Sequence, residues 1–159
     1  KKLYQAPETH GFSDVDTFLV DNFAVGVILY TMGAQDYPWT STERGRCQLF
    51  EYFKVFGLKR YLVRRRLRTG HGECLSEVLS PEYADVLASL LEPRPFRRAS
   101  LGELVFKTQA NFLRRPSICD MPWVRKTDAH LLTREVVLGE MAKPTCDDSQ
   151  SEKTVESMS

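Results

Sequence analysis

Most of the local signals that mark a catalytic or metal-binding chain are missing from these 159 residues. The four cysteines, Cys47, Cys74, Cys119 and Cys146, lie far apart. No pair has Cys-x-x-Cys spacing, which excludes a thioredoxin-type redox motif and a zinc ribbon. Reduced thiols in a cytosolic or nuclear protein are the expectation. His71 and Cys74 have the spacing of half a metal site, but no second pair fits them, so no metal is expected. No Gly-x-Ser-x-Gly turn and no Ser-His-Asp order points to a hydrolase. Two-residue alternation and Asn-Gly hairpin signals are absent, which argues against strands. The net charge of +1 gives no general pull toward nucleic acid or an anionic membrane. No stretch reads as a signal or transit peptide. The most apolar run falls short of the roughly 20 residues of a membrane span.

That run, Val20 to Met32, organises the rest of the chain. Leu19, Phe23, Gly26, Val27 and Tyr30 share one helical face, and Val20, Ala24, Ile28 and Met32 cover much of the other. A helix apolar all round is expected to be buried all round. Asp21 stands at its N-terminal end, either as a helix-start acid facing the positive end of the macrodipole or as an acceptor for backbone N–H groups of another loop. Gly33 is placed as the glycine just past the helix end. Asp36-Tyr37-Pro38-Trp39 reads as an exposed turn with two aromatics.

Further helices follow from their start signals. Pro7 and Glu8 fit the first turn of a short helix. Thr40 and Glu43 have capping-box spacing, opening a helix with Cys47, Phe50, Phe53 and Phe56 down one side and an end or bend at Gly57. The chain then continues as a helix from Leu58 to Leu67. Ser80 and Pro81 start another helix as N-cap and first residue, with Ala84, Leu87, Leu90 and Leu91 at helical spacing and Pro93-Arg94-Pro95 ending it. Ser100 and Glu103 form a second capping box. Residues 115–128 look irregular, with Trp123 as an anchor, and Leu131 to Met141 suggest a short amphipathic helix. The polar residues 142–159 lack the apolar surface to offset their ordering entropy and read as a disordered tail. The domain is expected to be all-α, with a core over 1–112, an irregular and helical extension over 113–141, and the tail. The apolar fraction of 42% is ordinary for such a fold.

Three separated elements occur in a familiar order. Tyr4-Gln5-Ala6-Pro7-Glu8 resembles the Tyr-x-Ala-Pro-Glu that closes the activation segment of protein kinases. Asp21 to Tyr30 resembles the kinase helix Asp-x-Trp-Ser-x-Gly-Val-x-Leu-Tyr. Arg94-Pro95-Phe96-Arg97-Arg98 resembles the later Asp-Pro-x-x-Arg. Tyr37-Pro38-Trp39 stands where the family carries Pro-Pro-Phe. Over roughly residues 1–110 the chain resembles the helical lower half of a kinase C-terminal lobe, and the order of these elements is the most specific signal it carries.

The resemblance implies roles. Glu8 and Arg98 would form a buried ion pair, and Asp21 would hold the backbone of a catalytic loop that this chain does not contain. Leu3, Tyr4 and Pro7 would line the surface beside the phosphorylated residue, and Tyr37 and Trp39 a docking surface, with packing of these two rings against the following helix as the favoured alternative. ATP and Mg²⁺ would be bound by the parent protein, because the Gly-rich loop, strand lysine, His-Arg-Asp and Asp-Phe-Gly that carry phosphoryl transfer are not in this sequence. The segment, which starts Lys-Lys without Met and reads as part of something longer, would then give a serine/threonine kinase its substrate platform. It would not be competent alone. Its partners would be the upstream kinase elements and a protein substrate.

Departures from the family pattern are specific. Phe23-Ala24 replaces Trp-Ser, Arg94 replaces the aspartate, and Lys1 stands where serine/threonine kinases carry a threonine that contacts the catalytic aspartate. The alternative is a non-catalytic, pseudokinase-like interaction module. The cluster of Lys59, Arg60, Arg64, Arg65, Arg66 and Arg68 reads either as a solvated helix face or as a site for an acidic partner, with nucleic acid disfavoured by the absence of a groove motif. Arg97-Arg98-Ala99-Ser100 has the form Arg-Arg-x-Ser favoured by basophilic kinases, but Ser100 is better read as a cap.

Overall fold

The computed structural model describes residues 2–11, 14–68, 72–102, 117–122 and 124. The chain divides into two units, Lys1–Arg125 and Lys126–Ser159, and the described residues belong to the first. The helix expected after Ser100, the anchor Trp123, the helix over 131–141 and the polar tail fall outside the described residues, as do Lys1 and His71.

Four α-helices make the described fold: α1 (Thr17–Ala34), α2 (Gln48–Arg64), α3 (Leu75–Val78) and α4 (Pro81–Leu90). Short 3-10 turns lie at Lys2–Tyr4, Pro7–His10, Pro95–Arg97 and Ile118–Asp120. Among the described residues there are no strands, only isolated bridges at Arg66–Cys74 and Ser100–Ser117. The class is all-α.

α1 starts earlier than the apolar run, because Asp16 and not Asp21 is the N-cap. The Asp16 carboxylate accepts the N–H groups of Phe18 at 3.0 Å and Leu19 at 3.4 Å, satisfying donors that a helix start leaves unpaired. The helix also ends later. Gln35, with φ 53°, takes the left-handed position assigned to Gly33. Gly33 serves packing instead, since a Cβ there would come within 2.9 Å of Tyr83. Gly26 does the same toward α4, where a Cβ would lie 2.9 Å from a Leu91 methyl carbon. The full 18 residues have the length and composition of a membrane span, so shortness does not exclude one.

Burial of α1 is one-sided rather than all round. Leu19, Phe23, Gly26, Val27 and Tyr30 are buried, packed toward α4. Phe18, Ile28 and Met32 are exposed, Met32 at 70%. Among the described residues Ile28 and Met32 stay exposed on this second face.

The core is aromatic, and Trp39 is its centre. Its ring lies 5.8 Å from Phe23, 4.9 Å from Phe50 and 5.1 Å from Phe53 between centroids. Trp39 is 1% exposed, which corrects its place on an exposed turn and decides for packing against the following helix over a docking surface. Pro38 turns the chain inward, and its carbonyl accepts the Tyr61 hydroxyl. Burying a large apolar side chain stabilises a fold by about 1.5–3 kcal/mol, so this cluster outweighs any surface role for Trp39.

The Thr40 capping box does not form. The Ser41 hydroxyl takes the Glu43 N–H at 3.1 Å in a local turn, and α2 begins only after Cys47. Gly57, at φ 77° and ψ 172°, breaks α2 into two limbs, in a region of conformational space open almost only to glycine. Phe50 and Phe53 are buried, whereas Phe56 is exposed and does not join them. α4 follows its signals: the Ser80 hydroxyl accepts the Tyr83 N–H at 3.2 Å, with Pro81 first in the helix.

Candidate functional site

The N-terminal turns, the start of α1 and the segment after α4 meet at one side chain. Arg98 is completely buried. Its Nη1 donates to Glu8 Oε1 at 2.6 Å and its Nη2 to Glu8 Oε2 at 2.9 Å, a two-pronged ion pair between residues 90 positions apart. Nη1 also donates to the Leu19 carbonyl at 2.6 Å and Nε to the Glu92 carbonyl at 2.9 Å. Four of the five N–H donors are thus engaged with described residues. The guanidinium lies 4.9 Å from the Phe23 ring centroid, adding a cation–π contact. A buried guanidinium is tolerable only with this degree of satisfaction.

Neighbouring bonds hold the same junction. The Asn22 amide on α1 donates to the Ala99 carbonyl at 3.1 Å. Asn22 is buried and was not singled out in the sequence, because one polar residue at the head of an apolar run carries no pairing signal. His10 is half-buried and lies 2.9 Å from the Thr42 hydroxyl. That hydroxyl donates to the Gln5 carbonyl at 2.7 Å, tying the N-terminal turns to the segment before α2.

The remaining sequence candidates are distributed differently. Tyr4 and Tyr37 come together: their hydroxyls bond at 3.1 Å and their rings meet edge to face at 5.9 Å. The bond to Tyr37 raises the Tyr4 phenol above its ordinary pKa. Leu3 and Pro7 are half-buried. Asp21 is exposed, and its carboxylate has no hydrogen-bond partner among the described residues. Ser100 is 4% exposed and its carbonyl accepts the Ile118 N–H at 3.0 Å, so the Arg-Arg-x-Ser sequence is not presented for modification.

Cys47 is a further buried polar position. Burial pushes its thiol up, but the Thr40 hydroxyl and the backbone of Thr40, Phe50 and Ser41 outweigh that effect and bring it down to about 7. Cys74, by contrast, caps α3 together with Glu77. No group of three or more potential metal ligands occurs among the described residues.

The basic cluster is partly neutralised. Asp36 pairs with Arg65 at 3.2 Å and Arg68 at 3.8 Å. Lys59 lies 3.9 Å from Asp85, and Arg66 donates to the Gly72 carbonyl at 2.6 Å. Among the described residues the arrangement offers a hydrogen-bonded junction and exposed surfaces, and the hydroxyl in the His10–Thr42 contact already gives its proton to the Gln5 carbonyl. In comparisons with known proteins, no family model, curated protein or solved structure matches the chain.

Proposed function

We propose that this chain is the helical lower half of a protein kinase C-terminal lobe, of the serine/threonine type. In that reading it supplies the substrate platform to a larger protein that binds ATP and Mg²⁺ and transfers the γ-phosphate to protein hydroxyls. The observation that carries the reading is the Glu8–Arg98 pair. It joins the end of the Ala-Pro-Glu motif to the arginine of the late motif, beside the helix bearing the third motif. The exposed Ile28 and Met32 face of α1, with an Asp21 carboxylate that has no hydrogen-bond partner among the described residues, also supports it, because exposed apolar surface is often covered by a partner element. In this reading the upstream kinase elements cover that face, and Leu3, Tyr4, Pro7 and Tyr37 face the protein substrate.

The second reading is a non-catalytic, kinase-like interaction module. It is favoured by Lys1 in the place of the family threonine. The two readings separate on phosphate transfer. The native polypeptide carrying this sequence, isolated from its source, is incubated with γ-labelled ATP, Mg²⁺ and a serine- and threonine-rich protein substrate. The kinase reading predicts labelled phosphoserine or phosphothreonine, and none from residues 1–159 alone. A native polypeptide that neither binds ATP nor transfers label overturns it in favour of the interaction module.

A further inference from the structure

Gly57 folds α2 back on itself. Tyr52 and Arg64 are twelve positions apart and would be about 18 Å apart along a straight helix. Instead the Arg64 guanidinium lies 4.8 Å from the Tyr52 ring centroid. Arg60 lies 5.8 Å from the Phe56 ring in the same way, and Tyr52 and Phe56 meet each other at 4.5 Å. The two limbs therefore share a face with two arginine-on-aromatic rungs. Beside it is a cleft of about 300 Å³, lined by Gln48, Leu49, Tyr52, Tyr61, Arg64 and Arg65.

The charge on this face is unbalanced. Lys59, Arg65 and Arg68 have carboxylates within reach and Arg66 has a carbonyl. Arg60 and Arg64 form no ion pair among the described residues. Glu51, the nearest acid in sequence on the first limb, is already engaged by Lys54 at 3.3 Å and by the Gly45 N–H at 3.0 Å. Two exposed guanidiniums, each within cation–π reach of a ring, therefore have no paired anion among the described residues.

We propose that this face docks an acidic peptide segment of a protein partner. Carboxylates of the partner would pair with Arg60 and Arg64, and an apolar side chain would enter the cleft against Leu49 and Tyr52. Arg60 and Arg64 are one helical turn apart, a rise of about 6 Å. Alternate side chains of an extended peptide repeat at nearly the same distance, about 6.6 Å. Stacking fixes the guanidiniums in advance, which lowers the ordering cost of binding. A single-stranded nucleic acid is disfavoured because its bases need open ring faces, and here guanidiniums and the neighbouring ring already occupy Tyr52 and Phe56. The proposal rests on the α2 surface and not on the kinase reading.

The test uses the full chain and a fluorescein-labelled peptide, Glu-Glu-Asp-Leu-Glu-Glu-Asp, followed by fluorescence anisotropy. Binding should weaken several-fold between about 50 and about 300 mM NaCl. Arg60→Ala combined with Arg64→Ala should weaken it about tenfold or more, and each single change less, while Arg97→Ala in the Pro95–Arg97 turn, which does not line the cleft, should alter it by less than about twofold. Thermal midpoints of parent and variants show whether the fold is kept; Arg60→Ala alone serves if the double change lowers the midpoint. Absence of peptide binding overturns the proposal. So does equal binding by the double variant, or tighter binding of an oligothymidylate than of the peptide.

Discussion

Arg98 and Arg64 show two uses of the same guanidinium. Arg98 has no solvent exposure and gives four N–H bonds to Glu8, Leu19 and Glu92. Arg64 is exposed and rests on the Tyr52 ring. In the first environment four of the arginine's five donors are matched by the protein, so its contribution lies in fixing where three chain segments meet. In the second the charge is positioned but unmatched, so its contribution is reserved for something outside the described residues. Burial and satisfaction, more than residue type, separate a structural arginine from a binding one.

The largest effect that could break this comparison is at Arg98. Arg98→Ala leaves the Glu8 carboxylate without its partner, and removal of one member of a buried pair costs about 3–5 kcal/mol. Chemical denaturation should show that loss. Arg98→Lys should recover little, because an ammonium cannot grip a carboxylate with two parallel bonds. A midpoint equal to the parent's would remove the ion pair as a determinant of the fold.

Next comes Gly57, on which the Arg64–Tyr52 rung depends. Gly57→Ala forces a side chain into backbone geometry suited to glycine, at a cost of about 1–3 kcal/mol, although no neighbouring atom crowds the position. Loss of stability with loss of acidic-peptide binding would tie the surface rungs to the bend. An unchanged midpoint would mean that the limbs meet without it.

Arg64→Ala sits at the small end. A surface substitution of this kind changes stability by no more than about 0.5 kcal/mol. A larger loss in denaturation would show that Arg64 is structural and would erase the contrast with Arg98.

A pH measurement sharpens the interior side. The Cys47 thiol falls to about 7 in the folded chain, below its ordinary value of about 8.5. Between these values the unfolded chain holds the proton that the folded chain has released, so stability rises with pH. The Cys47 contribution is fully present above the unfolded value and is lost as pH falls through about 7. Cys47→Ala should flatten this rise in denaturation experiments across the interval, and a parent with no rise would contradict the assigned donors.

Local sequence carried much of the helical framework and little of its assembly. Ser80 with Pro81 marked the start of α4, and Gly57 marked the bend in α2, because those signals act within one turn of chain. The motif order brought Glu8 and Arg98 together as candidates, since chemistry alone pairs no residues so far apart. Trp39 was read as exposed because it follows a proline turn; its burial comes from Phe23, Phe50 and Phe53 on two other elements. The one-sided burial of α1 was hidden for a related reason. An apolar residue records that a face can be covered, not that a covering element is near. The Arg64–Tyr52 contact needed the direction of the second limb of α2, which periodicity does not contain.

The most direct test of the kinase-lobe proposal is peptide mapping by mass spectrometry of the native polypeptide that carries this sequence. The proposal predicts peptides from a segment preceding Lys1 that contain the phosphate loop, the strand lysine, His-Arg-Asp and Asp-Phe-Gly. A native polypeptide whose N-terminus lies at or just before Lys1 would contradict it.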